Sequence, residues 1–299
     1  MYHQPALLQE SIEGLNINPE GVYVDLTFGG GGHSKEILKH LSPKGRLIAF
    51  DQDADAQQNI QDDARFIFVD QNFKYLKNFL RYYNALPVDG ILADLGISSY
   101  QIDTAARGFA TRFDGPLDMR MSQNQKFSAQ ELVNTYSQEA LKEVFEKYGE
   151  IDNASKLASQ IVLARAESQI STTAQFKETI RKCTPKHQEN KYLAQVFQAI
   201  RIEINDEMEV LKNMLLQTLD VLKVGGRLAV ISYHSLEDRL VKNFMKTGNF
   251  EGELHKDFYG KVETPWQLIS RKPIIPNEKE IDANPRARSA KLRVAEKKA

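Results

Sequence analysis

Short apolar runs alternate with amphipathic stretches over the first third of the chain. Residues 22–26, 46–50, 66–69 and 90–95 are each rich in Val, Ile, Leu or Phe, and three of the four meet an acid at or near the C-terminal end. The segments between them are long enough for helices, so the spacing predicts strands of a parallel sheet covered on both faces. Such sheets take ligands beyond the C-terminal ends of their strands, where the strand order reverses.

From Asp103 to Asn205 the strand pattern stops. Leu141, Val144, Phe145 and Tyr148 fall at i, i+3, i+4 and i+7, one helical face. Leu157, Ile161 and Ala164 continue in that style, and residues 173–181 read as a further helix with Thr172 or Thr173 as N-cap. The sheet rhythm then resumes. Residues 207–222 carry Val210, Leu211, Met214, Leu215 and Leu219 on one helical face, with Val224-Gly225-Gly226 as the stop. Residues 227–232 read as a fifth strand and 235–245 as the next helix, and runs at 267–275 and 291–295 are expected as edge strands. The prediction is an α/β, Rossmann-like fold: a parallel sheet with an antiparallel edge strand. It comprises a discontinuous domain at 1–103 and 206–299 and a helical inserted domain at 104–205.

Between the first run and its helix lies Thr27-Phe-Gly-Gly-Gly-Gly-His-Ser34. Glycines let backbone approach a ligand where a Cβ would collide. A glycine-rich match alone is weak, and His33 suits a pyrophosphate cradle poorly. With a strand before it and a helix after it, the loop is nonetheless a candidate cofactor contact. Asp51 ends the second strand, where an acid accepts from the two hydroxyls of an adenosine ribose; Asp53 reads as the cap of the next helix. Asp70 and Phe73 follow the third strand, and Phe73 is either beside an adenine ring or part of the core. Asp94 ends the fourth. A carboxylate there can meet a cofactor's charged end or accept an N–H from a substrate amine.

Composition narrows the class. The 299 residues suffice for one large domain or two smaller ones. No apolar run has the length of a membrane span, and Met1-Tyr-His-Gln-Pro5 lacks the features of a signal peptide. The single cysteine, Cys183, cannot form an internal disulfide, so a reducing cytoplasm is the expected compartment. Net charge is −1, yet residues 271–299 hold nine Lys/Arg against four Asp/Glu. Such a tail is a solvated face unless other features point to nucleic acid.

Other features do. The chain carries Tyr2-His-Gln-Pro5, Leu7-Leu-Gln-Glu10, the Thr27–Ser34 loop, Asp94-Leu-Gly-Ile-Ser-Ser-Tyr-Gln101 and Arg107-Gly-Phe109. It also carries Asp114-Gly-Pro-Leu-Asp-Met-Arg-Met121, Phe197-Gln-Ala-Ile-Arg-Ile202, His234-Ser-Leu-Glu-Asp-Arg239 and Asn284-Pro-Arg-Ala-Arg-Ser-Ala-Lys-Leu-Arg293. In these blocks, nearly from end to end, it resembles the bacterial RsmH (MraW) family, the 16S rRNA cytidine N4-methyltransferases.

The resemblance implies a class I S-adenosylmethionine-dependent methyltransferase fold and the small ribosomal subunit as partner. It puts cofactor contacts at Gly31, Gly32 and His33, the ribose on Asp51, the adenine beside Phe73, and Asp94 and Gln101 completing the pocket. Gln101 comes from the resemblance alone. For the carboxylate near the cytidine amine, Asp94 is the first candidate and Asp118 the second. Stacking on the base is expected from Tyr100, Phe109 or Tyr233. Arg107, Arg112, Arg120, Arg286, Arg288, Lys291 and Arg293 are candidate phosphate contacts, some of which will be structural, such as Arg120 with Asp118 or Asp114. His3 and His234 are placed by motif, with a hydrogen-bonding role as the default for each. No metal is expected, since no His/Cys/Asp cluster has ligand spacing.

Gly30 stands where the family often has a larger residue, Tyr233 where it usually has Phe, and Ile151-Asp-Asn-Ala-Ser-Lys156 where an Glu-Arg pattern is more usual. Oligomeric state is open, a homodimer included. A methyltransferase acting on DNA, protein or a small molecule, and a non-catalytic S-adenosylmethionine-binding assembly factor, are the competing readings.

Overall fold

The computed structural model describes residues 5–256, 258–260 and 263–299. His3 lies outside them. The chain divides into two compact units, one made of residues 1–96 and 208–299 and the other of residues 97–207.

The first unit is built on seven strands: β1 Val22–Asp25, β2 Arg46–Asp51, β3 Phe66–Asp70, β4 Val88–Asp94, β5 Leu222–Ser232, β6 Trp266–Leu268 and β7 Lys291–Lys297. Their order is β3-β2-β1-β4-β5-β7-β6. The first five are parallel, and β7 runs antiparallel to both β5 and β6. The order reverses between β1 and β4, which makes their C-terminal ends the switch point.

Side chains alternate between faces at the strand period of two. Tyr23, Leu47, Leu92, Ala229 and Ile231 join one apolar cluster with Ile12 and Leu15 of the helix Leu8–Leu15 and Ile37 of the helix Gly32–His40. Val24, Ile48, Ile91, Ala93, Leu228 and Val230 join another with Leu76, Leu211, Met214, Val241 and Phe244. Burial on both faces is why these strands read as continuous apolar runs.

Two expectations change here. The helix Glu207–Val221 leads directly into β5, which begins at Leu222, so Val224-Gly225-Gly226 is not a helix stop. Val88 pairs with Leu222 and Gly90 with Arg227, so β5 bulges between these partners, and Gly225 takes φ 77° within that bulge. The run 267–275 also yields only a three-residue strand, Trp266–Leu268. Pro273 cannot donate to a ladder, and beyond Leu268 the chain meets β7 through the Ile269 N–H, which donates to the Val294 carbonyl at 3.0 Å, and through an isolated bridge between Ile274 and Leu292.

The second unit is helical: Ser99–Asp103, Ala129–Thr135, Gln138–Gly149, Ala154–Glu167, Thr173–Ile180 and Glu189–Asn205. Leu141, Val144 and Phe145 pack with Leu157, Ile161, Phe176, Val196, Phe197 and Ile200 in one core. Thr172 caps its helix in a reciprocal box with Gln175. Cys183 is buried in this core, and burial pushes its thiol pKa up. Among the described residues, no helix of the protein is long and apolar enough to cross a membrane.

Candidate active site

The C-terminal ends of β1, β2 and β4 each present an acid. Asp25, 1% exposed, accepts the Ser34 hydroxyl at 2.6 Å and the Thr27 N–H at 3.1 Å. Burial raises its carboxyl pKa, with His33 and these donors opposing. The glycine turn follows. Gly31 sits at φ 74°, a region costly for a residue with a Cβ, and donates to the Phe28 carbonyl at 2.7 Å. A Cβ on Gly32 would fall 2.2 Å from Pro5 Cγ, whereas a Cβ on Gly30 would meet nothing within 4 Å. The loop is therefore close-packed at Gly32 and open at Gly30.

Asp51 holds this turn from the neighbouring strand. Its Oδ2 accepts the Gly29 N–H at 2.7 Å and its Oδ1 the Asp53 N–H at 2.9 Å. Burial pushes its carboxyl up to about 6 even so. Each oxygen keeps a lone pair for a further donor. Asp53 caps a short 3-10 turn, Ala54–Asn59, by accepting the Asp55 N–H.

Asp94 closes β4. Its N–H donates to Thr27 Oγ1 at 2.7 Å, which ties the strand end to the loop. Its Oδ1 accepts the Tyr233 hydroxyl at 2.8 Å, and its Oδ2 lies 3.9 Å from His33 Nδ1. Burial pushes this carboxyl up to about 6 as well; His33 and the Tyr233 bond pull it down, and Asp25 and Glu237 add to the rise. His33 is itself buried, with Nε2 3.2 Å from the Ala6 carbonyl. Acids at a switch point, Asp25 buried and Asp51 and Asp94 half-buried, beside an open glycine turn suit a neutral-to-cationic cofactor carrying a ribose.

Residues 1–298 match the model of the MraW methylase family. The chain belongs to the MraW methylase family. It is 58% identical over 297 residues to the ribosomal RNA small subunit methyltransferase H of Parabacteroides distasonis, covering 99% of this chain and 97% of the relative. The protein of the same name from Bacteroides fragilis is 56% identical over 297 residues, with 99% and 98% covered. That of Flavobacterium johnsoniae is 56% identical over 296 residues, again with 99% and 98% covered. The chain is thus an S-adenosylmethionine-dependent methylase, and its first unit carries a mixed seven-stranded α/β sheet.

In this methylase the remaining candidates occupy varied surroundings. Phe73 is half-buried and packs on the apolar cluster that includes Leu76. Asp70 is exposed and accepts from Gln57. His234 caps the helix Ser235–Thr247 in a reciprocal box with Glu237, whose Oε2 accepts the His234 N–H at 3.4 Å and also the Tyr233 N–H at 2.9 Å. Gln101 lies in the helical unit, buried, where its side chain completes a capping box with Ser98. Asp118 lies there too, held by Arg120 Nε at 2.8 Å and Nη2 at 2.7 Å. Burial would raise its carboxyl, but the Arg120 bonds prevail and hold it below the usual range.

The cationic candidates divide in the same way. Arg107 is 5% exposed and donates to the carbonyls of Arg120 and Met121. Arg112 pairs with Asp103. Arg293 grips Asp238 with two donors, and Lys291 lies 3.6 Å from the same carboxylate. Arg286 is half-buried, and Arg288 is exposed without an ion pair among the described residues. Of the aromatics, Phe109 is core, Tyr100 is exposed and Tyr233 is tied to Asp94. Thr27, Ser34, Glu237 and the Tyr233 hydroxyl escape sequence reasoning. Only the side-chain geometry reveals them.

Proposed function

We propose that this chain methylates the N4 amine of a cytidine in the decoding region of 16S rRNA, in the cytoplasm. The full-length match to proteins named ribosomal RNA small subunit methyltransferase H carries this reading. S-adenosylmethionine, when bound, supplies an activated methyl group. Gly31, Gly32 and His33 would line its site, Asp51 would accept its ribose hydroxyls, Phe73 would flank its adenine and Asp94 would complete that side of the pocket, while Gln101 is a candidate contact on the resemblance alone.

A cytidine amine is a poor nucleophile, because its lone pair is delocalised into the ring. The chain therefore has to orient the amine and accept its N–H. Asp94 Oδ2 is the preferred acceptor: Oδ1 is already engaged by Tyr233, whereas both Asp118 oxygens are engaged by Arg120. Residues 104–205 serve as the RNA-recognition domain, and a base in a stacked region is presented by leaving the stack. Arg288, exposed and unpaired among the described residues, is the preferred phosphate contact in the C-terminal block.

The test is methyl transfer with nucleoside identification. Protein and S-adenosylmethionine are incubated with small subunits lacking the modification, and separately with naked 16S rRNA. The digested RNA is then read by mass spectrometry, with Asp94→Ala as control. New N4-methylcytidine that disappears in the variant supports the reading. Measurable cofactor binding with no methylation of either RNA overturns it.

A further inference from the structure

We infer that Tyr233 is a positioning residue for Asp94: its hydroxyl fixes one carboxylate oxygen so that the other is presented, ionised, to the N–H it must accept. The inference rests on the proposed function in taking Asp94 as that acceptor.

The geometry is a chain of three links. Glu237 Oε2 accepts the backbone N–H of Tyr233 at 2.9 Å, which sets where the residue leaves β5. The Tyr233 ring passes beside Gly96, where an added Cβ would sit 3.7 Å from Cδ2. It also packs on the apolar cluster that holds Leu92 and Ile231. Its hydroxyl then meets Asp94 Oδ1 at 2.8 Å. Thr27 receives the Asp94 N–H, so backbone and side chain of the acid are both held, and Oδ2 lies 3.9 Å from His33 Nδ1.

The bond also bears on the charge state: burial is the largest influence and raises the carboxyl, His33 lowers it, and the Tyr233 bond adds to the lowering. The charged groups facing Asp94 are Asp25 and Glu237, which disfavour its ionisation, and His33, which favours it. Glu280 adds a further negative charge facing Tyr233. In that setting a neutral donor to the carboxylate lowers its pKa without introducing a cation. Burial and the facing acids raise the Tyr233 phenol far above its ordinary value, so it remains a donor through the working range of pH.

The test is Tyr233→Phe, which keeps the ring and its packing and removes only the donor. Turnover on the accepted RNA is measured against pH for wild type and variant. The acid limb of the profile should move up by about one pH unit, because the lost bond favoured the ionised form. Turnover at the plateau should fall several-fold, as Asp94 loses its fixed orientation. Melting temperature serves as the check on folding. In the background of Asp94→Asn, where turnover is lost, adding Tyr233→Phe should have no further effect on the pH dependence of S-adenosylmethionine affinity.

An unmoved acid limb, or a pH effect of Tyr233→Phe that persists unchanged on Asp94→Asn, overturns the inference. Failure of the wild type on every RNA overturns the function instead. The same pair is then compared in S-adenosylmethionine affinity against pH. There a matching upward shift supports the Tyr233–Asp94 link, and coincident curves reject it.

Discussion

The Asp51 carboxylate accepts the Gly29 N–H at 2.7 Å, so the acid that closes β2 fastens the glycine turn that follows β1. The same side chain takes the Asp53 N–H. Asp51 is therefore both a proposed ribose acceptor and a clamp on the loop beside it. Asp51→Ala should weaken S-adenosylmethionine binding by about a hundredfold, near the loss of two charge-assisted bonds. Asp51→Asn, which keeps one acceptor oxygen, should fall between. Titration calorimetry reads both, and equal affinities for wild type and Asp51→Ala would remove Asp51 from the site.

Asp94 makes a prediction about stability that runs opposite to activity. Its folded pKa is about 6, against about 4 for the unfolded chain. Between these values the folded state binds more protons than the unfolded state, so stability falls as pH rises. The cost is absent below the lower value and complete above the higher one, on the order of 2–3 kcal/mol. Asp94→Asn escapes it. Its melting temperature should exceed that of wild type by a few degrees at about pH 8 and by less at about pH 5, while methyl transfer is lost. A constant difference across that range would contradict the assignment.

Gly32 tests the loop's close packing. The Cβ of Gly32→Ala would fall 2.2 Å from Pro5 Cγ, so either the loop or the segment at Pro5 must shift. Cofactor affinity should drop at least tenfold. Gly30→Ala meets no protein atom within 4 Å and so reports on the ligand itself: reduced affinity with unchanged melting temperature is expected if the open side faces the cofactor.

Two arginines of the same block should separate RNA binding from folding. Arg288→Ala removes an exposed cation and should weaken RNA binding and lower the salt slope by about one, leaving the melting temperature unchanged. Arg293→Ala breaks a two-donor pair with Asp238 whose side chains are 13% and 15% exposed. It should cost about 1–3 kcal/mol of stability. Filter binding across salt concentrations and thermal melts distinguish the two.

Much of the sheet was legible because its strands are buried on both faces and stand out as apolar runs between helical segments. Edges were less so: β6 ends after Leu268 because the chain then runs into polar residues and Pro273, which apolar counting does not weigh. In the candidate site, chain position singled out the acids at the strand ends. Their partners were hidden. Tyr233 and Asp94 lie 139 positions apart in sequence, and no periodicity links a phenol to a carboxylate at that distance. Charge counting likewise could not distinguish Arg288, at the surface, from Arg293 and Arg107, whose donors are already taken within the fold.

The pairing of β4 with β5 also has a bearing on how the chain is born. Asp94 stands beside Ile231, so the middle of the sheet joins polypeptide made before the helical unit to polypeptide made after it. While the ribosome is still translating residues 97–207, β4 has an open edge and no parallel neighbour on that side. The contiguous helical stretch, rich in local contacts, can collapse during this interval, while the sheet waits for its fifth strand. The acid at the end of β4 therefore acquires its Tyr233 partner only late in synthesis.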